Sequence, residues 1–590
     1  MRLLYAGLAL LSLLGAFGPT ALLSQCALQS SFQTPTNGNV RQVVNVIVAG
    51  ATGDLAAKYL WVAMFRLALE GKASSGRMFR FFAGASDTVE RGRIWHKKFF
   101  NEVFAERVCG PLGGEDSTVQ IECREFLETE FKQSVQYAPL RTERHYRELG
   151  RRLKEMNKQE EGRMSCEMIH RYLRPKQEET GSADPFLRVV VEKPFGRDLQ
   201  SAHELATRLR AIFRKDELYV MDHYAGKPVV HALGDYFQLN AAALHPLWNS
   251  EHIQDIHIEM TETSTLQNRV HYFDSAGIIR DIMVNHLQSL LSVAVVPSFD
   301  PAIYTTPISS NEFARRIHEA QLRVIKALEV PREQPQESIF VAQYDEYAVH
   351  YRAEMDESLA KNDHFTPTAA MIELTSSLHE WRNTTFRLAA AKATAARLLT
   401  ITVSFRNGVF PSTEVESCTF TVIIQRALNA DSHHSHRMEW SCDISKLLPQ
   451  LQLPSGWERL NSDDNRVLTP TKADQIQLER GSEAEVWELG DEPSAYDILL
   501  REIASGATEH FADLDEVEAA WELWTPIVNA AEALTSESSA ELNSNDHLET
   551  ERSSNGQLKQ ASYRAGTSPW DQIYSTSRHG DPSPTPREEL

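Results

Sequence analysis

The first regular pattern along the chain is a short apolar, β-branched run at residues 43–49, which is typical of a strand buried in a parallel sheet. The run leads into a glycine turn at residues 50–56, after which apolar residues recur with helical spacing. Further apolar strands are predicted at residues 79–85 and 189–192, with mostly helical and charged sequence between 88 and 160. Strand, glycine turn and helix in this order predict an α/β dinucleotide-binding domain over residues 42–230.

After residue 230 the pattern changes to alternating strands and longer helices. Residues 281–296 have helical spacing, with Ile282, His286 and Leu290 on one stripe, and further helices are predicted at 494–505 and 514–533. Strands are predicted at residues 253–263, 369–376, 384–388, 398–406 and 417–426. The predicted fold is therefore a Rossmann-like N-terminal domain followed by an α+β C-terminal domain, residues 231–534, with a large and mainly antiparallel sheet.

The two ends of the chain read differently from the middle. Arg2 precedes an apolar run with small residues near its end, which predicts a signal peptide over residues 1–26, with an uncleaved membrane anchor as the alternative. Residues 27–41 are predicted to be a linker, and residues 535–590 a largely disordered tail. The final residues, Arg-Glu-Glu-Leu, resemble a retrieval signal for the endoplasmic reticulum. We expect the lumen of the reticulum or the secretory pathway, with a plastid or the cytoplasm as alternatives.

Composition and charge indicate which classes of partner and site to expect. The 590 residues carry a net charge of −21, which argues against a nucleic-acid partner and requires local cations for any anionic substrate. Five cysteines remain after the predicted leader, an odd number without metal-ligand spacing. Asn383-Thr384-Thr385 is a glycosylation sequon. The histidine-rich segment 433–436 is interpreted as a solvated loop rather than a metal site.

Residues 219–227, YVMDHYAGK, concentrate the candidate chemistry. A carboxylate at Asp222 can orient a histidine base, while His223, Tyr224 and Lys227 offer donors suited to a phosphate. His286 is the candidate base, since Asp222 supplies the carboxylate partner that a general base needs.

Three segments together resemble the signature blocks of the glucose-6-phosphate dehydrogenase family, including its endoplasmic-reticulum members. They are residues 189–199 (VVVEKPFGRDL), 219–227 and 272–286 (YFDSAGIIRDIMVNH). The resemblance extends over residues 43–526. It implies oxidation of glucose 6-phosphate at C1 to 6-phosphogluconolactone, the first oxidative step of the pentose phosphate pathway, with hydride transfer to NADP. It also implies a homodimer or homotetramer, with dimerisation through the large sheet and no metal.

The resemblance implies site residues as well. His286 takes the proton from the C1 hydroxyl and Asp222 orients its imidazole. The substrate-binding residues implied are Lys193, His223, Tyr224, Lys227, Glu262, Asp281 and Lys392. The cofactor-binding residues implied are Gly50, Thr52, Gly53, Asp54, Leu55, Asp87 and Lys193.

Departures from the family pattern are concentrated at the cofactor. Asp87 stands where the family usually has an arginine for the 2′-phosphate of NADP, which makes NAD an alternative cofactor. The apolar strand that normally precedes the Glu-Lys-Pro-Phe-Gly block has no counterpart at residues 161–168. Residues 438–442 lack the arginines of the family's second, structural NADP site. A catalytically weak or inactive homologue that binds sugar phosphate as a regulatory or binding subunit is therefore the alternative to an active oxidoreductase.

Overall fold

The computed structural model divides into two compact units, described here one at a time. The first unit comprises residues 1–231, 306–322 and 492–521, and the second comprises residues 232–305, 323–491 and 522–590. The structure describes residues 7–11, 27–36, 39–71, 77–110, 118–155, 186–296, 309–332, 338–355, 365–410, 417–427, 436–460, 485–489, 493–541 and 561–570. The first segment of the first unit ends beside the predicted domain boundary at residue 230. The expected C-terminal domain is interrupted, because residues 306–322 and 492–521 belong to the first unit.

The first unit is built on a seven-stranded sheet in the order β5-β4-β3-β1-β2-β6-β7. Its strands are β1 (Gly7–Leu11), β2 (Ala27–Thr36), β3 (Asn39–Ala49), β4 (Arg77–Ala85), β5 (Val135–Pro139), β6 (Leu187–Glu192) and β7 (Leu218–Met221). β3 runs parallel to β4, β4 parallel to β5, and β6 parallel to β7. Val44, Val46 and Val48 of β3 are almost completely buried. The apolar run thus forms an interior strand of an α/β sheet, as predicted.

Residues of the predicted leader and linker form two strands of this sheet, and the signal peptide stays a prediction. β1 pairs with β3 in parallel and β2 pairs with β3 antiparallel. Both strands also pair with β6 at Val190. Residues 161–168, where the family strand has no counterpart, lie outside the described residues.

The helical segments of the first unit lie between its strands along the chain, except for the last one, which follows them all. They are Ala56–Leu60, Trp61–Glu70, Val89–Lys98, Phe99–Phe104, Ala105–Cys109, Thr118–Phe126, Leu127–Phe131, Lys132–Ser134, Glu143–Glu155, Leu199–Ile212, Lys215–Glu217 and Ala495–Ser505. The last of these begins at a capping box formed by Ser494 and Asp497 and ends at Gly506, whose φ is 94°.

The second unit contains an eleven-stranded sheet in the order β16-β17-β15-β14-β13-β8-β12-β11-β10-β18, with β9 beside β11. Its strands are β8 (Ile253–Thr261), β9 (Leu328–Glu329), β10 (Ile339–Tyr344), β11 (Ala369–Ser376), β12 (Thr385–Ala391), β13 (Arg397–Phe405), β14 (Thr419–Ala427), β15 (His436–Trp440), β16 (Trp457–Leu460), β17 (Glu485–Leu489) and β18 (Ala561–Tyr563). Only the β8–β12 and β10–β18 pairs among these are parallel. The predicted large, mainly antiparallel sheet is confirmed.

The helical segments of the second unit include the predicted one around His286. They are Ala241–Leu244, His245–Leu247, Val270–Ile278, Ile279–Leu287, Gln288–Val295, Tyr347–Glu354, His379–Trp381 and Ile444–Leu447. Three further helices contain a boundary between the units, namely Pro228–Leu239, Ser310–Ala327 and Leu514–Glu541.

The structure describes two parts of the tail that was predicted to be largely disordered, residues 535–541 and 561–570. The last long helix continues to Glu541, and β18 adds a parallel edge strand to β10. Tyr563 and Trp570 are buried in the second unit. The segment as a whole is polar, so its average composition does not reveal that these two aromatic side chains are apolar enough to be buried.

Four of the cysteines form two disulfides. Cys109 pairs with Cys123 in the first unit, and Cys418 pairs with Cys442 in the second. The Cα–Cα distances of 5.8 Å and 5.6 Å lie in the normal range for a disulfide. Sequence spacing alone does not reveal these pairs. Among the described residues, no helix combines the length and apolarity needed to span a membrane.

Candidate active site

The glycine turn of the first unit joins β3 to the helix that begins at Ala56. Gly50 has a φ of 75°, a left-handed conformation that favours glycine. A Cβ on Gly53 would lie 3.1 Å from the carbonyl oxygen of Gly50, and the indole of Trp61 donates to the carbonyl of Ala51 at 2.9 Å. Gly53 and Asp54 are exposed, so the turn presents backbone to solvent. This geometry fits the pyrophosphate of a dinucleotide, which binds where a parallel strand meets a helix N-terminus.

Strand β4 ends two residues before Asp87, the residue that departs from the family pattern. The carbonyl of Asp87 accepts from the hydroxyl of Tyr137 at 3.1 Å. Its exposed carboxylate lies 3.5 Å from the guanidinium of Arg91, one helical turn later. A guanidinium therefore stands beside the carboxylate. This pair offers groups suited either to ribose hydroxyls or to a 2′-phosphate.

Lys193 and Asp222 directly follow the neighbouring parallel strands β6 and β7. The Nζ of Lys193 lies 3.3 Å from Oδ2 of Asp222, and both side chains are buried. The other carboxylate oxygen of Asp222 accepts from the backbone N–H of Tyr224 at 2.9 Å. Ligands of open α/β sheets bind at the carboxyl ends of the strands, where these two residues meet.

Glu192, the residue before Lys193, was not singled out from the sequence. Burial raises the pKa of Glu192 to about 8, a hydrogen bond from Tyr496 opposes the shift, and the charge of Asp222 adds to it. The hydroxyl of Tyr496 lies 2.9 Å from Oε1 of Glu192. The residue belongs to the Glu-Lys-Pro-Phe-Gly block of the sequence. Its contact with Tyr496 joins distant parts of the chain, so local sequence patterns do not predict it.

The predicted phosphate-binding segment forms a compact turn in the first unit. Lys227 donates its backbone N–H to the carbonyl of Tyr224 at 3.1 Å, and its Nζ lies 5.9 Å from the centre of the Tyr224 ring. The ring of His223 lies 4.3 Å from that of Tyr224, measured between centres. A Cβ on Gly226 would lie 2.5 Å from Leu499, so this turn packs too closely for any side chain there. The structure thus brings the three predicted donors together in one turn.

In the second unit, Lys392 joins the two predicted carboxylates. Its Nζ lies 2.5 Å from Glu262 and 3.0 Å from Asp281, and the lysine side chain is 5% exposed. Burial acts to raise the pKa of Asp281, but the charge of Lys392 outweighs it and lowers that pKa. Burial acts to lower the pKa of Lys392, and the two carboxylates outweigh it and raise that pKa. Asp281 and Lys392 are therefore ionised at neutral pH.

His286 lies on the helix Ile279–Leu287, five residues after Asp281, and is partly exposed. Its charge contributes to the lowered pKa of Asp281. A fully buried histidine was the simpler reading of its apolar surroundings. The structure instead shows a partly exposed side chain, so the ring is available to solvent or substrate. Asp222 belongs to the first unit and His286 to the second, and their pairing stays a prediction.

The tail holds the backbone of Lys392. The hydroxyl of Tyr563 donates to the carbonyl of Lys392 at 2.6 Å, and the N–H of Gly566 donates to the carbonyl of Ala393 at 2.7 Å. Ala393 has a φ of 53°, an uncommon conformation for alanine that persists only where its surroundings enforce it. The indole of Trp570 donates to the buried carboxylate of Glu259 at 2.7 Å. None of these contacts was expected, because the tail was predicted to be largely disordered.

Comparison with known proteins identifies the family. The model of the glucose-6-phosphate dehydrogenase NAD-binding domain matches residues 47–232, and that of the C-terminal domain of the same enzyme matches residues 236–556. A solved structure described as glucose-6-phosphate dehydrogenase in complex with its substrate glucose-6-phosphate has 22% identity and a TM-score of 0.59, and covers 92% of this chain and 98% of its own. At that identity the likeness concerns the fold.

Two curated relatives extend the comparison. The GDH/6PGL endoplasmic bifunctional protein of Oryctolagus cuniculus is 29% identical over 82% of this chain, which spans 59% of that relative's length. The chloroplastic glucose-6-phosphate 1-dehydrogenase of Nicotiana tabacum is 27% identical over 84% of this chain and 77% of its own. With one family model matching more than half of its residues, the chain belongs to the glucose-6-phosphate dehydrogenase family.

Proposed function

We propose that the protein oxidises glucose 6-phosphate at C1 to 6-phosphogluconolactone. The observation that carries the proposal is the buried contact of Lys193 with Asp222 at the carboxyl ends of β6 and β7. It puts an ammonium and a carboxylate where an α/β sheet binds its ligands. The family match supplies the reaction class.

The reaction needs a base at the C1 hydroxyl. His286 accepts that proton while C1 loses a hydride, so that the C1–O bond becomes the carbonyl of the lactone. A bound nicotinamide cofactor supplies the hydride acceptor. Asp222 orients the imidazole and stabilises its cationic form, and Lys193 orients Asp222. In the second unit, Lys392 holds Glu262 and Asp281 in place as acceptors for sugar hydroxyls.

Substrate phosphate is bound by the turn after β7. His223, Tyr224 and Lys227 offer an imidazole, a phenol and an ammonium within one turn. Charge-assisted hydrogen bonds of this kind are strong, and they provide the local cation that a chain with a net charge of −21 requires.

The cofactor is NADP or NAD, and the residues at the end of β4 decide between them. Arg91 next to Asp87 supports NADP, because the guanidinium can bind a 2′-phosphate once it leaves the carboxylate. Asp87 alone supports NAD, since it accepts from ribose hydroxyls and repels a phosphate. Comparing kcat/KM for the two cofactors in the wild type, Asp87→Ser and Arg91→Ala separates these roles.

The two disulfides support a location in an oxidising compartment, and we propose the lumen of the endoplasmic reticulum. Asn383 of the sequon is exposed just before β12, where a glycan can attach. Protein from a secretory host should shift in mass on removal of N-glycans, whereas Asn383→Gln should not. A protein with reduced cysteines and no glycan would contradict this location.

The decisive experiment measures reduced-cofactor absorbance with glucose 6-phosphate, using NADP and NAD side by side. Turnover that is lost in His286→Asn supports the proposal. Binding of glucose 6-phosphate by folded protein without turnover on either cofactor would favour the alternative, an inactive sugar-phosphate-binding homologue. His271→Asn, on the neighbouring helix, is the control for a histidine change that leaves turnover in place.

A further inference from the structure

Two histidines and a glutamate of the first unit converge on one point. His231 lies on the helix Pro228–Leu239, Glu502 lies on the helix Ala495–Ser505, and His510 follows in the next turn of the chain. The Nδ1 of His510 lies 2.7 Å from Oε1 of Glu502, and the Nδ1 of His231 lies 3.6 Å from the same oxygen. The two imidazole rings are 3.7 Å apart between centres.

Hydrogen bonds do not satisfy every polar atom of this cluster. Among the described residues, Nε2 of His231 and Oε2 of Glu502 are buried atoms without a hydrogen-bond partner. Buried polar atoms are normally satisfied, and each one left unpaired costs free energy. Imidazole nitrogens and carboxylate oxygens are both ligands that transition metal ions bind.

We propose that His231, Glu502 and His510 form a binding site for a divalent transition metal ion, with Zn²⁺ as the ion that suits them best. One ligand atom from each residue lies within 4.8 Å of the others. Zn–N and Zn–O bonds of roughly 2.0–2.2 Å in a tetrahedral site separate the ligand atoms by about 3.3–3.5 Å, so small side-chain rotations close the site. Two histidines and a glutamate with one open position are an established zinc-ligand set.

The site is open enough to be loaded from solvent. The side chains of His231 and Glu502 are each 17% exposed and that of His510 is 30% exposed. Three protein ligands with a solvent-facing opening leave a fourth position for water. A bound ion would connect the helix that follows Lys227 to the helix that carries Tyr496.

A second cluster in the same unit shows what the first lacks. His318, Asp513 and Glu516 also converge, with 2.7 Å between Nδ1 of His318 and Oε1 of Glu516. There, the ammonium of Lys215 lies 2.7 Å from Asp513 and already supplies a cation. Among the described residues, no lysine or arginine lies within ion-pair distance of Glu502. The His231 cluster thus has the ligands without a resident positive charge, which favours it as the metal site.

Calorimetric titration of chelator-treated, tag-free protein with Zn²⁺ tests the proposal. We expect one Zn²⁺ per chain at this site, and we expect His510→Gln and Glu502→Gln each to weaken binding by more than the roughly 10–100-fold that changes to outer-shell partners cause. Co²⁺ should give the visible absorption of a tetrahedral site, and that absorption should be lost in the same variants. Melting curves without metal establish that both variants fold.

Two matched variants make the result specific. His203→Gln removes another histidine that contacts a glutamate, at 2.6 Å from Glu518, but within the described part of the chain that pair belongs to no group of three metal-ligating side chains. His434→Ala with His436→Ala removes two of the three histidines of segment 433–436. Retention of Zn²⁺ in both controls supports the proposal. Binding by His510→Gln that equals that of the wild type, or loss of binding in the His434/His436 variant instead, would overturn it, as would failure of the wild type to bind Zn²⁺ at micromolar concentrations.

Discussion

The ammonium of Lys193 and the carboxylate of Asp222 are 3.3 Å apart, and their side chains are only 8% and 3% exposed. Removing one member of a buried ion pair leaves the other charge without compensation, which costs about 3–5 kcal/mol. We therefore expect Lys193→Met to lower the free energy of unfolding by about that amount. Urea denaturation measures the change.

Two comparisons make this prediction specific. Lys215→Met removes a lysine that is 71% exposed, so we expect it to cost no more than about 1 kcal/mol. The double variant Lys193→Met/Asp222→Asn should regain part of the lost stability, since no charge remains buried alone, while turnover stays lost. Equal effects of Lys193→Met and Lys215→Met would show that the buried pair has no special weight.

Lys392 should have a stability effect that depends on pH. Its charge lowers the pKa of Asp281 in the folded state, so the stabilisation is present above the unfolded-state pKa and is lost as the pH falls. In Lys392→Met, Asp281 loses its compensating cation, and its protonation at acid pH relieves the penalty. We expect the stability deficit of Lys392→Met to be large at pH 7.5 and smaller at pH 5, by urea denaturation at both values.

The exposed Lys326 of the same unit is the matched control, and Lys326→Met should change stability little at either pH. A deficit in Lys392→Met that is the same at pH 5 and pH 7.5 would contradict the lowered pKa that we assign to Asp281.

Glu192 gives the opposite pH dependence. Its folded-state pKa of about 8 is above the ordinary value of 4.5, so its stabilisation is complete below 4.5 and is lost as the pH rises through 8. We expect the melting temperature of the wild type to fall between pH 6 and pH 9.5, and Glu192→Gln to flatten this fall. Parallel curves for the two proteins would refute the assignment. Tyr496→Phe, which removes the opposing hydrogen bond and so raises this pKa further, should extend the fall to higher pH.

The contact of Trp570 with Glu259 predicts that the tail stabilises the second unit. Both residues are buried, and Trp570→Phe keeps an aromatic ring while removing the donor to the carboxylate. A buried acceptor left without its partner costs about 1–3 kcal/mol. We expect a loss of that size by chemical denaturation, and a smaller loss when Glu259→Gln is already present. A tail without structural weight would leave Trp570→Phe as stable as the wild type.

Periodicity was sufficient to predict most of the regular structure. The strand at 253–263, the helical stretch at 281–296 and four further strands are all found within a few residues of their predicted bounds. These elements have strong alternation or strong helical spacing, and their burial follows from it. The glycine turn was also predictable, because a short apolar run followed by glycines and then by helical spacing is typical of such a turn.

Features that depend on distant residues were not predictable in the same way. Tyr563 and Trp570 lie in a segment that is polar on average, yet each fills one buried position beside β10 or β8. The pairing of Cys418 with Cys442 and the contact of Glu192 with Tyr496 arise from tertiary packing. For the site, the residue types were read from short blocks, whereas Lys392 as the common partner of Glu262 and Asp281 needed the structure.

The most direct test of the central claim follows the hydrogen at C1. Glucose 6-phosphate carrying deuterium at C1 is incubated with the protein and NADP or NAD, and the reduced cofactor is analysed by mass spectrometry. The account predicts one deuterium in the reduced nicotinamide and none when His286→Asn replaces the wild type. Cofactor reduction without deuterium, or folded protein that reduces neither cofactor, would contradict it.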